Sequence, residues 1–118
     1  MTLAGQLAAG PTECEWRSGS SRAYYGAFHK ALGVADAHLP PSPYVMGEHE
    51  KLTERLKAHS NKGKSVAYVL IDLKRVRTHA DYHLSLSFTQ KQAVDHVAAC
   101  NAFVPKADAF AAYVKANP

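Results

Sequence analysis

Val66-Ala67-Tyr68-Val69-Leu70-Ile71-Asp72-Leu73-Lys74-Arg75-Val76-Arg77-Thr78-His79-Ala80-Asp81-Tyr82-His83-Leu84 decides the fold class. Its first six residues have the β-branched and aromatic composition of a strand. The longer pattern overrides that composition. Val66, Val69, Leu70, Leu73, Val76, Ala80 and Leu84 recur at steps of three and four, which lines them along one face of an α-helix. Asn61-Lys62-Gly63 reads as a breaker ahead of it and Ser65 as its N-cap, so the spacing predicts a helix over 65–86.

Helical signals continue on both sides. Upstream, Thr12 and Glu15 fit a capping box, in which each side chain satisfies an orphan N–H of the other's turn. Tyr24, Phe28, Ala31 and Ala35 mark the apolar face of that helix. Pro40-Pro41-Ser42-Pro43 must stop it, because proline donates no hydrogen bond and disfavours helix in the residue before it. Gly19, Gly26 and Gly33 fall seven apart and flatten one side, with an intramolecular neighbour or a dimer mate to fill it. A short helix is predicted over 47–59, with Glu48 and Glu50 at its start and Lys57 and His59 at its end, as the helix dipole prefers. Downstream, Thr89 and Gln92 form a second capping box, followed by Ala93, Val97, Cys100 and Val104. Pro105 is expected to kink or split this last helix before Phe110 and Tyr113. Residues 2–9 add a short leading helix through Leu3 and Leu7. The sum is an all-α, up-and-down helical bundle of four to five helices, in one domain over residues 1–118.

Composition narrows the setting. Cys14 and Cys100 form no C-x-x-C pair, which argues against a zinc finger or a disulfide scaffold and for two buried small hydrophobes. No apolar run approaches membrane-spanning length, and the first residues lack the basic flank and apolar stretch of a signal peptide. A cytoplasmic protein without membrane partners is expected. The formal charge of +4 is unevenly spread. Residues 51–77 hold eight basic and two acidic side chains, hence +6, and the rest of the chain is −2. Such a segment either attracts phosphates or is simply a solvated face.

The residues with chemical potential lie on the 65–86 helix. With Arg77 at zero on an ideal wheel, the stripe of Val69, Val76, Ala80 and Leu84 centres at about 300°. Arg77 flanks the stripe on one side and His83 on the other, so one straight helix holds them apart. Two stripes packed about a two-fold would border one cleft with both pairs. There an Arg can grip a phosphate and stabilise developing charge, and a His can move a proton to or from a ribose hydroxyl. That set suffices to cut RNA without a metal or cofactor. The Arg–His spacing alone carries little in a chain with seven histidines. His79 and His83 have metal-ligand spacing, but no second cluster completes a site, so no metal is expected. Asp81 either pairs with Arg77 within the helix or aims it at substrate. Tyr24 reads as core, while Tyr25 and Tyr82 read as flank residues able to stack on bases. Arg22 is a plain surface charge or a second phosphate contact.

Ser21-Arg22-Ala23-Tyr24-Tyr25-Gly26-Ala27-Phe28-His29, Gly47-Glu48-His49-Glu50 with Leu52, and Val76-Arg77-Thr78-His79-Ala80-Asp81-Tyr82 together resemble, in order, a prokaryotic subgroup of the HEPN superfamily. The resemblance covers about residues 12–115. It implies a helical bundle that forms two-fold homodimers and a metal-independent endoribonuclease, toxin-like or defence-related. RNA would be the substrate, and a separate nucleotidyltransferase-type chain the antitoxin. The superfamily motif is an Arg, a polar residue, then a His after four to six intervening residues. It falls here on Arg77, Thr78 and His83, with Thr78 where Asn, Asp or His is more usual. Arg77 and His83 would be catalytic, and Arg22, Thr78, His79, Asp81 and Tyr82 would contact substrate. The alternative within the same resemblance is a noncatalytic module that binds nucleotide, RNA or a protein partner.

Overall fold

The computed structural model describes residues 2–118, and within them the chain is all-α. Five helices follow in order: α1 (Leu3–Ala8), α2 (Glu13–His38), α3 (Glu48–His59), α4 (Asn61–Tyr82) and α5 (Gln90–Ala116). Helix α2 lies centrally and touches all the others, and α3 packs chiefly on α4. One apolar core joins Tyr24, Ala27, Ala31 and Ala35 of α2 to Leu52 and Leu56 of α3. Ala67, Leu70 and Leu73 of α4 and Phe103 and Phe110 of α5 complete it. No helix among the described residues is long and apolar enough to cross a membrane.

The helix starts follow local cap chemistry. Thr89 and Gln92 form the full reciprocal box at α5. At α2 the Thr12 side chain accepts from the Glu15 N–H, but the Glu15 carboxylate receives the Thr12 hydroxyl instead of its backbone N–H, so only half the box exists. Helix α4 starts four residues earlier than the sequence predicts. Its cap is Ser60, whose Oγ accepts from the Gly63 N–H at 3.2 Å, and Ser60 is also the one residue separating α3 from α4. Gly63 permits this corner. A Cβ there would lie 1.9 Å from the Leu56 carbonyl oxygen. The expected breaker is thus the first turn of the helix.

Two arginines end helices from a distance. Arg55 of α3 donates to the carbonyls of Ala35, Leu39 and Pro40 and pairs with Asp36, closing α2 ahead of the proline loop. Arg17 of α2 donates to the carbonyls of His79, Ala80, His83 and Leu86. Helix α4 therefore stops at Tyr82, and Leu84, read from the sequence as part of its stripe, is 71% exposed. Helix α5 runs unbroken through Pro105. Both Pro105 and Asn101, whose carbonyl loses its donor, are exposed, so water can take the place of the missing bond. Of the three spaced glycines, only Gly19 meets a neighbour, the backbone of α1, while nothing lies within 4 Å of a Cβ built at Gly26 or Gly33. Cys100 is buried, but Cys14 is exposed, contrary to the reading of both as core.

Candidate functional site: the Arg77 cluster

Helix α4 turns Arg77 inward against α2. Its Nε lies 2.9 Å from Asp81 Oδ2, one helical turn on. The Nε–H is not aimed along that line, so the attraction is coulombic rather than a directed hydrogen bond. Arg77 Nη2 donates to the Tyr25 hydroxyl. The guanidinium carbon lies 5.0 Å from the Tyr25 ring centre, 5.4 Å from Tyr82 and 5.7 Å from Tyr24. Asp81 also accepts from Ser21 Oγ at 3.1 Å. The Arg77 and Asp81 side chains keep only 13% and 24% of their surface exposed. Such a pair strands a buried charge if either member is removed.

His49, at the start of α3, reaches the same cluster. Its Nδ1 lies 2.7 Å from the Tyr24 hydroxyl. Burial, and then the positive charges of Lys74 and Arg77, push the His49 pKa down to about 4, against an opposing pull from Glu50. Burial also raises the Tyr24 hydroxyl well above its ordinary range. At neutral pH both are therefore uncharged, and the tyrosine O–H donates to an unprotonated Nδ1. Ser21, Tyr24 and Tyr25 of α2, His49 of α3, and Arg77, Asp81 and Tyr82 of α4 thus form one polar and aromatic knot. The three sequence segments singled out above meet in it.

His83 lies outside the knot. It caps the end of α4, and its exposed ring stacks on His79 at 5.7 Å between centres. His79 Nε2 donates to the Ser87 carbonyl at 3.2 Å. Around them, Arg17 binds Glu13 through Nε and Nη2, at 3.2 and 2.8 Å, and sits over the Phe88 ring. Glu13 accepts in turn from the Phe88 N–H. Its pKa is lowered, first by the Arg17 hydrogen bond and then by that of Phe88. Six residues of ideal helix set Arg77 and His83 about 120° apart. In the structure Arg77 lies against Tyr24 and Tyr25 of α2, and the His83 ring lies against His79. Thr78 is half-buried, and Arg22 is exposed with no ion pair or hydrogen bond among the described residues. The Val69, Val76 and Ala80 stripe, a candidate two-fold surface, is largely used within the chain: Ala80 is buried, and Val69 and Val76 are partly buried against the core.

Sequence reasoning missed Arg17 altogether. Its only local signal is the i,i+4 spacing to Glu13, since the carbonyls it caps are more than sixty residues away. An open groove of about 550 Å³ runs between α4 and α5, lined by Val76, His79, Phe88 and His96 among others, but neither Arg77 nor His83 borders it. Buried His96 binds the Ser20 carbonyl at 3.1 Å and lies 3.5 Å from Cys100 Sγ. Burial pushes the Cys100 thiol up to about 12, so it is no nucleophile. Among the described residues no three His, Cys, Asp or Glu side chains converge as metal ligands.

The chain matches no family model, no curated protein and no solved structure. What the knot can do follows from its own groups. Arg77 is committed to Asp81 and Tyr25, so its cationic field and the ring of Tyr82 (67% exposed) reach solvent better than its N–H donors do.

Proposed function

We propose that this chain is a HEPN-type helical module that binds RNA through its basic middle segment without cutting it. The observation that carries this reading is the engagement of Arg77. A guanidinium held by Asp81 and the Tyr25 hydroxyl, largely out of solvent, is a structural cation. The imidazole it would need, on His83, lies past the end of α4 and is stacked on His79. The exposed cations of that segment, Lys62, Lys64 and Arg75, supply the phosphate attraction. A homodimer of this module would use a face other than the Val69–Ala80 stripe. The open side of α2 at Gly26 and Gly33 is one such face.

The nuclease reading has one observation in its favour. The His83 ring is solvent-exposed and has no hydrogen bond among the described residues, so a second protomer could engage it. One experiment separates the two readings. Labelled RNAs of varied sequence are incubated with the protein in EDTA, and both integrity and fluorescence anisotropy are followed. Saturable binding that weakens with salt, on RNA that stays intact, is expected. Cleavage that leaves a cyclic phosphate and is lost in Arg77→Ala and His83→Ala would overturn the binding-only reading.

A further inference from the structure

The exposed face of α4 carries a pattern of which the Arg77 knot uses only Tyr82. On an ideal helix Lys64, Tyr68, Ile71, Arg75 and Tyr82 fall within a sector of about 60°. They form a stripe about 27 Å long. The structure leaves that stripe open: Tyr68 is 56% exposed, Tyr82 67% and the Arg75 side chain 78%. Each of the two tyrosines has a cation beside its ring. Lys57 Nζ of α3 lies 5.4 Å from the Tyr68 centre, and the Arg77 guanidinium lies 5.4 Å from Tyr82.

We infer that this stripe is a track for single-stranded RNA, with bases stacked on Tyr68 and Tyr82 and phosphates met by Lys57, Lys64 and Arg75. The inference rests on the RNA-binding reading above and adds where the strand lies and what form of RNA fits. Charge favours a polyanion by one unit, with Lys57, Lys64 and Arg75 against Glu54 and Asp72. Lys64 forms no ion pair among the described residues, and the acids beside the stripe are already engaged, Asp72 with Arg75 and Glu54 with Lys57. The Arg75–Asp72 pair is open to water on both sides, so a phosphate can replace the carboxylate at little cost. The exposed rings select unpaired bases. Stacking on an aromatic face needs a base out of its duplex, whereas a duplex presents mainly phosphates and would leave both tyrosines unused. The tyrosines lie fourteen residues apart, about 21 Å along the helix. At about 3.4 Å per nucleotide step, about six steps cover that span, so about seven nucleotides reach from one tyrosine to the other.

The test is anisotropy with a labelled twelve-nucleotide RNA, single-stranded and annealed to its complement. Wild type is compared with Tyr68→Ala, Tyr82→Ala, Tyr68→Phe and Lys64→Ala, each checked for helicity. Expected is tighter binding of the single strand. Tyr68→Ala and Tyr82→Ala should each weaken it at least fivefold, at the lower end of what one stacked base contributes. Tyr68→Phe should restore it. Lys64→Ala should reduce the slope of log K against log salt by about 0.7, the value for one single-strand phosphate contact. If RNA binds but the tyrosine variants equal wild type, or the duplex binds as tightly, the track is wrong and the RNA-binding reading stands. If neither RNA form binds, both are wrong.

Discussion

Gly63 and Gly26 are both helical glycines, yet their replacement by alanine should move stability in opposite directions. In an open helix Ala is favoured over Gly by about 1 kcal/mol. Gly26 stands in that situation, since nothing lies within 4 Å of a Cβ built there. At Gly63 the same Cβ would sit 1.9 Å from the Leu56 carbonyl oxygen and 2.9 Å from its carbon. Those atoms are backbone and cannot rotate away, so the corner between α3 and α4 must open. Forced overpacking, with the backbone shifts it brings, costs about 1–3 kcal/mol. Taking the upper end, and subtracting the propensity gain, leaves Gly63→Ala about 2 kcal/mol less stable. Unfolding entropy of about 2.1 cal/mol/K per residue makes 1 kcal/mol worth about 4 °C for a chain of this length. Thermal melts followed by circular dichroism should therefore show Gly63→Ala about 8 °C below wild type and Gly26→Ala about 4 °C above it. A Gly63→Ala protein as stable as wild type would refute the close approach and the placing of the α4 start at Asn61.

Arg17→Met keeps the apolar stem but leaves the carbonyls of His79, Ala80, His83 and Leu86 without their donor; a loss of about 3 kcal/mol in urea unfolding is expected, and a loss under 0.5 kcal/mol would contradict the capping role. Stability should also fall with acid. The His49 pKa is depressed to about 4 in the folded state, so its contribution is complete above the unfolded value of about 6.5 and is lost as pH falls toward 4; buried His96 shifts in the same direction. The urea midpoint should drop between pH 7 and 4.5, less so in His49→Gln, and an unchanged midpoint would oppose a neutral His49. Thiol titration with an aromatic disulfide should count one fast cysteine, Cys14, in native protein and two only after unfolding.

What could be read ahead of the structure divides by the range of the interaction that decides it. The caps at Thr12 and Thr89 are local, so the starts of α2 and α5 were legible. The start of α4 was not, because Gly63 looks like a breaker until the Leu56 carbonyl is brought against it. The end of α4 was hidden for a similar reason: a guanidinium from α2 closes it. Pro105 misled because its cost depends on whether the freed carbonyl sees water, which a linear pattern does not reveal. At the site, the three segments were recognisable and do converge. Their internal arrangement was not, since wheel geometry gives the direction of a side chain and not its partner. Asp81 as the ion-pair partner of Arg77 was within reach at i,i+4 spacing, whereas Tyr25 and His49 come from other helices.

Joining α3 to α4 through Ser60 alone has a kinetic corollary. Closing that hairpin fixes almost no loop, so the entropy lost is among the smallest in the chain. Helix α5 lies against α2 only after the 51 residues from 39 to 89 have been gathered. Contacts that distant are paid for before they reward the chain. Assembly should therefore proceed from the middle outward, with the α3–α4 pair as the seed and the terminal helix as the last to dock.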